Sequence, residues 1–327
     1  MTELGQLDVT YRGDEASQIF FEPVFFDEEL LSSYRVMPNV TTRKKMQFAE
    51  KLEKIVRRYT GCGFNPVGGL NIYDRYVEVD KMKINIELCM DEFLDTVIEE
   101  LLNTGTRLPD ITGTQIESIL INRVRQGLRL DIERIFHFGD RSSTDPNYDQ
   151  MDGVWTVHYP ALVAANLCPR YNTQSGSALS AGDGIDILRT VHDNARNELN
   201  ALPNNQKVFN VTGSIWLQLM EDYENAGGAD GGFMMLREGQ PTMNFRGIPI
   251  QPMWRWDEIL NELGTPNAHY IEYTTPQNKV LATDVGGVNP GADLTMWYDK
   301  KEEKVYVKSL WKMGSNYVHP SLISVGY

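Results

Sequence analysis

The chain has 327 residues, with 31 Lys and Arg against 45 Asp and Glu, so its formal net charge is −14 at pH 7. Hydrophobic residues make up 41% of the sequence and aromatic residues 10%, which is enough apolar material for a full core and excludes wholesale disorder. The acidic balance argues against broad binding to a phosphate backbone, because Lys and Arg side chains carry such binding. An acidic protein can still enclose nucleic acid without gripping it.

Cysteine content and terminal composition indicate the cellular setting. Cys62, Cys89 and Cys168 are too few for a disulfide framework and wrongly spaced for a zinc site, so we expect buried free thiols. The first fifteen residues contain no apolar stretch of the kind found in signal peptides. No window approaches the roughly 18 to 20 apolar residues that span a bilayer. We therefore expect a soluble cytosolic product with no membrane partner.

Residues 1–35 predict an extended arm in which polar residues alternate with short apolar segments. The arm has eight acidic and two basic residues, so its net charge is −6. A segment of this kind cannot form its own core, and its aromatic side chains need another surface to cover them. Those aromatic residues include Phe20, Phe21, Phe25 and Phe26.

The charge changes sign directly after the arm. Seven basic and two acidic residues between Arg43 and Arg58 give this segment a net charge of +5. Apolar residues recur at helical spacing from Phe48 to Tyr59, so the pattern predicts a basic amphipathic helix over 43–59. A glycine-rich loop follows over 60–69.

A strand with an irregularity is predicted next. Val77 and Val79 alternate with polar residues, and from Met82 to Leu88 the apolar residues alternate on the opposite parity. One extra residue between the two sets implies a bulge or a bend. A helix is then predicted over about 91–103.

The clearest element is a long helix. Overlapping capping boxes begin at Thr112 and Thr114, and apolar residues then step by three or four from Ile116 to Phe136. The helix is expected to run to about Phe138 and stop at Gly139, which makes a rod of roughly 35 Å at 1.5 Å per residue. A helix this long with one apolar stripe forms the backbone of a domain.

The rest of the chain mixes loops, helices and strands, so the fold class is α+β. Residues 140–183 are expected to be rich in loops, and a helix over about 184–202 is expected to have Asp183 as its N-cap. A short strand over 207–211 should feed a helix that is capped by Thr212 or Ser214 and ends near Gly227. Strands are then expected around Ile248, Tyr270, Val280, Met296 and Val305, with a hairpin tip over 299–303.

The sequence contains no recognisable catalytic, phosphate-binding or metal-binding motif. The five histidines are isolated, and neither a zinc-protease motif nor a nucleophile elbow occurs. The loop 60–69 lacks the lysine and the preceding strand of a phosphate-binding loop. The acidic loop 140–152 resembles a calcium loop for three positions, but Gln150 and Thr156 stand where glycine and glutamate are required. We predict no catalytic residue, no metal site and no cofactor.

The order of elements is similar to that of a known family. Strand residues 83–88 lead through a short helix into the long helix, which ends in Gly139-Asp140, and Asp152-Gly153-Val154 follows. A strand runs into a helix over 208–219, and the segment 244–252 carries a Gly-x-Pro-hydrophobic strand. Together these motifs resemble the major capsid proteins of tailed bacteriophages, which have the Hong Kong 97 type fold.

The resemblance implies an architecture. Residues 83–88 look like the second strand of the family's E-loop, 116–138 like its spine helix, and 152–154 like a strand that follows the spine helix. The strand-to-helix step over 208–219 looks like part of the axial domain. The implied divisions are an N-terminal arm over 1–35, an E-loop over 36–80, a peripheral domain with the spine helix over 81–150, an axial domain over 151–265, and closing strands shared by the peripheral and axial domains over 266–327.

The resemblance also implies a function. A protein of this family is a major head protein that assembles with itself into hexamers and pentamers, and these form an icosahedral shell around double-stranded DNA without sequence-specific binding. A portal is an implied partner. A separate scaffolding protein is another, or else some other control of curvature, because no long coiled-coil leader precedes the arm. The implied location is the virion, after assembly in the cytoplasm of the bacterial host.

The acidic arm and the basic segment are candidate inter-subunit contacts, because a shell subunit must bury arms and loops on its neighbours. Their charges are complementary, and such pairing sets register and steers docking more than it adds affinity. We expect the arm of one subunit to lie against the basic segment of another, with a solvated charge run as the open alternative. The candidate residues are Phe20, Phe21, Phe25, Phe26, Arg43, Lys44, Lys45, Arg57 and Arg58.

Two other functions stay open at this point. An encapsulin-like compartment would share the fold and differ in its cargo. A soluble α+β enzyme or ligand-binding protein without a recognisable motif would instead show a deep pocket with perturbed acids.

Overall fold

The computed structural model describes residues 8–12, 21–25, 33–49, 56, 58, 72–89, 115–225, 234–237, 240–286, 293–299, 301–302 and 304–327. Its strands are β1 (Asp8–Arg12), β2 (Arg35–Met37), β3 (Arg43–Ala49), β4 (Ile72–Glu78), β5 (Asp80–Cys89), β6 (Arg170–Tyr171), β7 (Val208–Thr212), β8 (Met234–Arg237), β9 (Gln240–Phe245), β10 (Ile248–Met253), β11 (Ile271–Thr274), β12 (Lys279–Thr283), β13 (Asp293–Asp299), β14 (Lys304–Tyr317) and β15 (Ile323–Gly326).

The helices are α1 (Glu22–Phe25), α2 (Gln115–Phe138), α3 (Tyr159–Ala164), α4 (Asp183–Asp193), α5 (Asn197–Asn200), α6 (Gly213–Asn225) and α7 (Trp254–Glu262). A π-helix covers Val154–His158, and short 3₁₀ turns cover Asn204–Gln206, Pro276–Asn278 and Pro320–Leu322.

A six-stranded sheet is organised around β14. Strands β13 and β12 pair with successive parts of one edge of β14, and β5 pairs with the other edge. Strand β1 extends the sheet from β13, and β2 extends it from β12. Alternate residues of β14, among them Val305, Val307 and Trp311, are buried in the core, so this sheet has one face inside and one outside.

A seven-stranded sheet forms the second layer, in the order β6-β15-β11-β7-β10-β9-β8. Every residue of β7, β11 and β15 is buried. Helix α4 packs Leu188 and Val191 into the same cluster as Phe209 and Tyr273 of this sheet. Because both faces of these strands are covered, polar residues such as Asn210 and Glu272 are buried together with the apolar ones.

The long helix α2 confirms the prediction of a rod that ends at Phe138. Its buried stripe includes Val124, Leu128, Ile132 and Phe136. The predicted caps at Thr112 and Thr114, and the predicted helix over 91–103, lie outside the described residues.

Two glycines let the chain turn back under the end of α2. The N–H of Gly153 donates to the carbonyl of Gly139 at 2.7 Å. A Cβ atom on either glycine would meet backbone atoms of the other strand of this turn well inside van der Waals contact. Glycine is therefore required at both positions by close approach of the backbone.

The basic helix predicted over 43–59 is wrong for 43–49, 56 and 58, and the other residues of this range lie outside the described residues. Residues 43–49 form strand β3, and Val56 and Arg58 are exposed and not helical. Met46 of β3 is buried with Val77 of β4 and Val280 of β12. Pairing and burial in a sheet therefore override the helical spacing of the apolar residues. The predicted bend is confirmed, because Val79 separates β4 from β5.

The expected strand over 152–154 is also wrong. Val154 begins the π-helix, which continues directly into α3. Trp155 and Tyr159, four residues apart, pack edge to face at 4.9 Å, and both are buried. Their common burial favours helical backbone at this point. The region 140–183 is thus less irregular than expected.

The helix predicted over 184–202 is broken into α4 and α5. Arg196 is extended, and the amide of Asn200 donates to the carbonyl of His192 at 3.2 Å across the break. Strand β7, helix α6, the strands near the predicted centres and the hairpin between β13 and β14 are confirmed. Helix α7 was missed, although Trp256, Ile259 and Leu260 follow a helical spacing.

Carboxylates of neighbouring helices cap α4 and α6. Asp222 of α6 accepts from the backbone N–H of Gly182 at 2.6 Å at the start of α4. Asp257 of α7 accepts from the N–H of Gly213 at 2.5 Å at the start of α6. Asp183, the predicted cap, instead accepts from the N–H of Ser180. Satisfied helix termini thus depend on tertiary contacts that no local motif records.

A buried ion pair joins the two sheets. Glu272 of β11 and Lys279 of β12 form this pair with both side chains fully buried. Glu272 also accepts from Asn210 at 2.5 Å and from the hydroxyl of Tyr159 at 2.6 Å. Burial alone would raise the pKa of Glu272, but Lys279 and the neighbouring donors outweigh it and hold the pKa below its usual value.

A buried histidine lies beside this pair. Nδ1 of His137 bonds to the carbonyl of Glu133 at 2.9 Å, so Nδ1 carries the proton. Burial, reinforced by Lys279, lowers the pKa of His137 to about 3. The ring is therefore neutral at physiological pH and packs against Phe136 and Trp256.

Replacing Lys279 by Met should destabilise the protein by about 3–5 kcal/mol, because Glu272 would keep a buried charge without its partner. The double variant Glu272→Gln with Lys279→Met should recover much of this loss. Urea unfolding measures both, with the exposed Lys308→Met on β14 as control. Equal costs for the single and double variants would contradict this account.

Asp222→Ala should cost about 1–2 kcal/mol, because it leaves the start of α4 without its acceptor. Asp183→Ala removes a carboxylate at the first residue of α4 and should cost only a few tenths of a kcal/mol. Thermal unfolding of the two variants compares them, and the reverse order would contradict the assignment.

Candidate assembly interface

Strands β3 and β4 form a two-stranded hairpin with two different faces. The register pairs Arg43 with Glu78, Lys45 with Tyr76, and so on to Ala49 with Ile72. The residues of these pairs are exposed and make up the outward face of the hairpin. The alternate residues form the inward face, which rests on the body of the subunit through the buried Met46 and Val77.

Charges on the outward face are paired within the hairpin. Arg43 lies 3.4 Å from Glu78, and its guanidinium covers the ring of Tyr76 at 3.8 Å. The ammonium of Lys45 lies 2.7 Å from Asp74. The hydrogen bond from Lys45, with a second from Gln47, lowers the pKa of Asp74. The same bond raises the pKa of Lys45, so both groups stay charged around neutral pH.

The sequence-predicted contact residues therefore fall into different groups. Lys44 and Arg58 are exposed, whereas Arg43 and Lys45 already have acidic partners in their own hairpin. Arg57 lies outside the described residues.

The arm phenylalanines that the structure describes lie inside their own subunit. Phe21 and Phe25 are fully buried, and the ring of Phe21 lies 5.6 Å from that of Trp311 in β14. The surface that covers these aromatic residues is thus provided by the same chain in this structure. Phe20 and Phe26 lie outside the described residues.

The hairpin is fixed to residues 314–319, which we call the hairpin seat. The amide of Asn316 donates to the carbonyl of Tyr76 at 2.8 Å. The guanidinium of Arg75 covers the ring of Tyr317 at 3.9 Å, and Phe48 packs on His319. At Gly314 the backbone of Glu78 approaches so closely that a Cβ atom would overlap its carbonyl oxygen.

The structure also brings together a serine and a histidine that the sequence did not connect. Ser214 Oγ lies 2.8 Å from Nδ1 of His269, and Nε2 of the same ring lies 2.8 Å from the carbonyl of Ser177. A carbonyl only accepts, so Nε2 carries the proton and Nδ1 accepts from Ser214. The bonds join three separate chain segments around a buried ring.

Within the described ranges, no group of three or more His, Cys, Asp or Glu residues could hold a metal ion. The acidic loop after α2 uses its carboxylates in turns: Asp140 accepts from Ser142, and Asp145 accepts from Asn147. Among the helices that the structure describes, none has the length and apolar character needed to cross a membrane.

Comparison with known proteins finds matches by fold but not by sequence. No protein-family model and no curated protein sequence matches the chain. Solved structures do match over nearly the whole length. A chain of the satellite phage P4 procapsid, whose structure includes the size determination protein Sid, is 11% identical with a TM-score of 0.56, and the match covers 93% of this chain and 96% of that one.

Two further structures agree with this match. A chain from the capsid of the Myoviridae phage XM1 is 11% identical with a TM-score of 0.53, over 92% of this chain and 90% of that one. A chain from the capsid of an empty GTA particle is 12% identical with a TM-score of 0.51, over 90% and 89%. The chain therefore has the fold of phage capsid subunits, and the predicted fold class is confirmed.

Gly314→Ala should displace the hairpin from its seat, because the new methyl group would overlap the carbonyl of Glu78. Hydrogen exchange should then quicken in β4 while β7 and β11 keep their protection. Gly127→Ala makes the same chemical change on α2, where a Cβ atom meets nothing within 4 Å, and should stabilise the protein by about 0.5–1 kcal/mol. Unchanged exchange in β4 would contradict the seat.

Proposed function

We propose that this chain is the major capsid protein of a tailed phage, which assembles with copies of itself into hexamers and pentamers of an icosahedral shell. The observation that carries the proposal is the fold match, which spans about nine-tenths of this chain and of each matched capsid chain. A fold match over nearly the whole subunit supports a shared role more strongly than a match to a common core would.

The hairpin supports an assembly role. Its inward face is anchored on the seat, while its outward face is exposed and has its charges paired within the hairpin. A projecting element that is already ordered loses little conformational entropy when it docks on a neighbour.

The proposed contact between arm and hairpin involves fewer basic residues than the sequence suggested. Lys44 and Arg58, with Arg57, are the cations we assign to the acidic arm of an adjacent copy. Arg43 and Lys45 contribute less, because an exposed cation that exchanges one acidic partner for another gains little.

The remaining features belong to the same proposal. The shell encloses double-stranded DNA without sequence-specific binding, a portal and a separate scaffolding protein assist assembly, and the virion forms in the host cytoplasm. The division into arm, E-loop, peripheral domain, axial domain and closing strands stays a prediction.

Two clefts in the described part of the chain are smaller than the usual site for a drug-sized ligand. One cleft beside the hairpin has a volume of about 110 Å³, and another between α2 and α7 has about 210 Å³. Sites for drug-sized ligands usually enclose roughly 300–1,000 Å³.

Electron microscopy with light scattering tests the proposal directly. The full chain, expressed alone and then with the genes next to its own, should yield closed shells, tubes, or isolated hexamers and pentamers. A monomer or dimer that persists in every condition would overturn the proposal. Shells that contain a cargo enzyme instead of DNA would favour the encapsulin-like compartment.

Neutralising Lys44, Arg57 and Arg58 should slow assembly by roughly tenfold, because steering by complementary charge acts mainly on the association rate. The test variant is Lys44→Gln with Arg57→Gln and Arg58→Gln, followed by light scattering at low salt. The control, Arg43→Gln with Glu78→Gln, removes an ion pair at constant net charge and should assemble like the parent. Equal rates for all three proteins would contradict the arm contact.

A further inference from the structure

The cleft of about 110 Å³ lies where the hairpin leaves the body of the subunit, and a histidine forms one of its walls. Its lining includes Tyr76 and Glu78 from β4, Ser315 and Asn316 from the seat, and His158 at the end of the π-helix. The hairpin packs on a small apolar cluster, whereas the π-helix and β14 belong to the main core.

Hydrogen bonds fix the proton on His158. The hydroxyl of Ser315 donates to the backbone carbonyl of Asp152, so its oxygen can only accept from the ring. Nε2 of His158, 3.1 Å away, is therefore the donor, and the neutral ring keeps its lone pair on Nδ1. A second proton on the ring has to enter at Nδ1, where it turns an acceptor into a donor.

Charged groups from each neighbouring element face this ring. Arg141 and Asp152 come from the loop after α2, and Arg141 is shared between Asp152 and Asp80 of β5. Arg75, Tyr76 and Glu78 come from β4. Tyr317 of the seat has its ring 6.0 Å from that of His158.

The balance of these groups favours the neutral ring. Burial lowers the pKa of His158, and Arg75 and Arg141 act in the same direction. Asp152 and the bond to Ser315 oppose them without reversing the shift. A cationic ring is therefore disfavoured while the cleft is closed, and it is favoured again when water enters.

We propose that the hairpin seat is an acid-sensitive hinge, in which protonation of His158 loosens the base of the hairpin from residues 314–319. The hairpin is the wall that can move, because it is held by the seat and by one small apolar cluster with Met46 and Val77, whereas the other walls are part of the main core. The hinge belongs to the single subunit, so it does not depend on the proposed assembly.

Linkage sets the direction of the effect. The open form binds the proton with the ordinary pKa of about 6.5, and the closed form binds it only at lower pH. Above pH 6.5 the closed form has its full stability. As the pH falls below 6.5, the open form gains by up to about tenfold per pH unit until the pKa of the closed form is reached.

Hydrogen exchange of the full-length, unassembled chain between pH 7.5 and 5.0 tests the hinge, after correction for the intrinsic exchange rate. Protection of β4 amides should fall by up to about tenfold per unit below pH 6.5, while β7 amides keep theirs. Protection of β4 that does not change with pH would overturn the hinge. An equal fall in β7 would show unfolding of the whole subunit and would overturn it too.

Two variants locate the effect. His158→Gln keeps a donor for Ser315 but does not titrate, so β4 protection should become independent of pH. His192→Gln, on α4, is the matched control and should keep the parental slope. A slope that persists in His158→Gln would overturn the assignment to this ring.

A measurement without any substitution guards against a variant that fails to fold. The NMR titration of the His158 ring and the opening of β4 should share one midpoint. Ser315→Ala should lower β4 protection at every pH and keep the slope. Different midpoints for ring and hairpin would overturn the hinge.

Discussion

The buried pair of Glu272 and Lys279 is the constraint on which the rest of the structure depends, because it joins two sheets at a fully buried point. Strand β11 belongs to the seven-stranded sheet and β12 to the six-stranded sheet. Bonds from Asn210 and Tyr159 extend the network to β7 and α3. Two charges removed from water are stable only with such additional partners. The network therefore links β7, β11, β12 and α3 at the junction of the two layers.

The junction also determines where the hairpin stands. Strand β12 pairs with residues 313–317 at the end of β14, and most of the seat for β3 and β4 lies within this paired segment. The inward face of the hairpin shares its small core with Val280 and Ala282 of the same strand. A displacement of β12 would thus move the hairpin in two ways. It would shift the backbone of β14, with which β12 pairs, and it would shift the apolar cluster that β12 shares with the hairpin. The projecting element is coupled to the centre of the subunit although it lies at its edge.

Those parts of the fold whose signal is local could be predicted from sequence. Helix α2 keeps one apolar stripe from Ile121 to Phe136, and no tertiary partner is needed to recognise it. Strand β3 could not be predicted, because Phe48 and the apolar residues after it fit a helix, and only the pairing of Met46 with Arg75 and the burial beside Val77 make it a strand. The caps from Asp222 and Asp257 also could not be predicted, because each carboxylate lies about 40 residues in sequence from the helix end that it caps. The net charge of the basic segment follows from its composition. The pairing of Arg43 and Lys45 with Glu78 and Asp74 depends on the strand register, which composition does not reveal.

The pairing of these charges changes what electrostatics can do for the subunit. A segment with a net charge of +5 suggests a strongly attractive surface, yet the outward face of the hairpin alternates in sign because Glu78 and Asp74 lie opposite and diagonal to Arg43 and Lys45. An alternating face has a short-range field that fades within roughly a Debye length of 8–10 Å, so it discriminates between orientations at contact rather than attracting from a distance. In the proposed shell, attraction from a distance would rest on Lys44 and Arg58 and on the acidic arm. Identical subunits that have to meet in one register without aggregating would be better served by this division than by a uniformly basic surface.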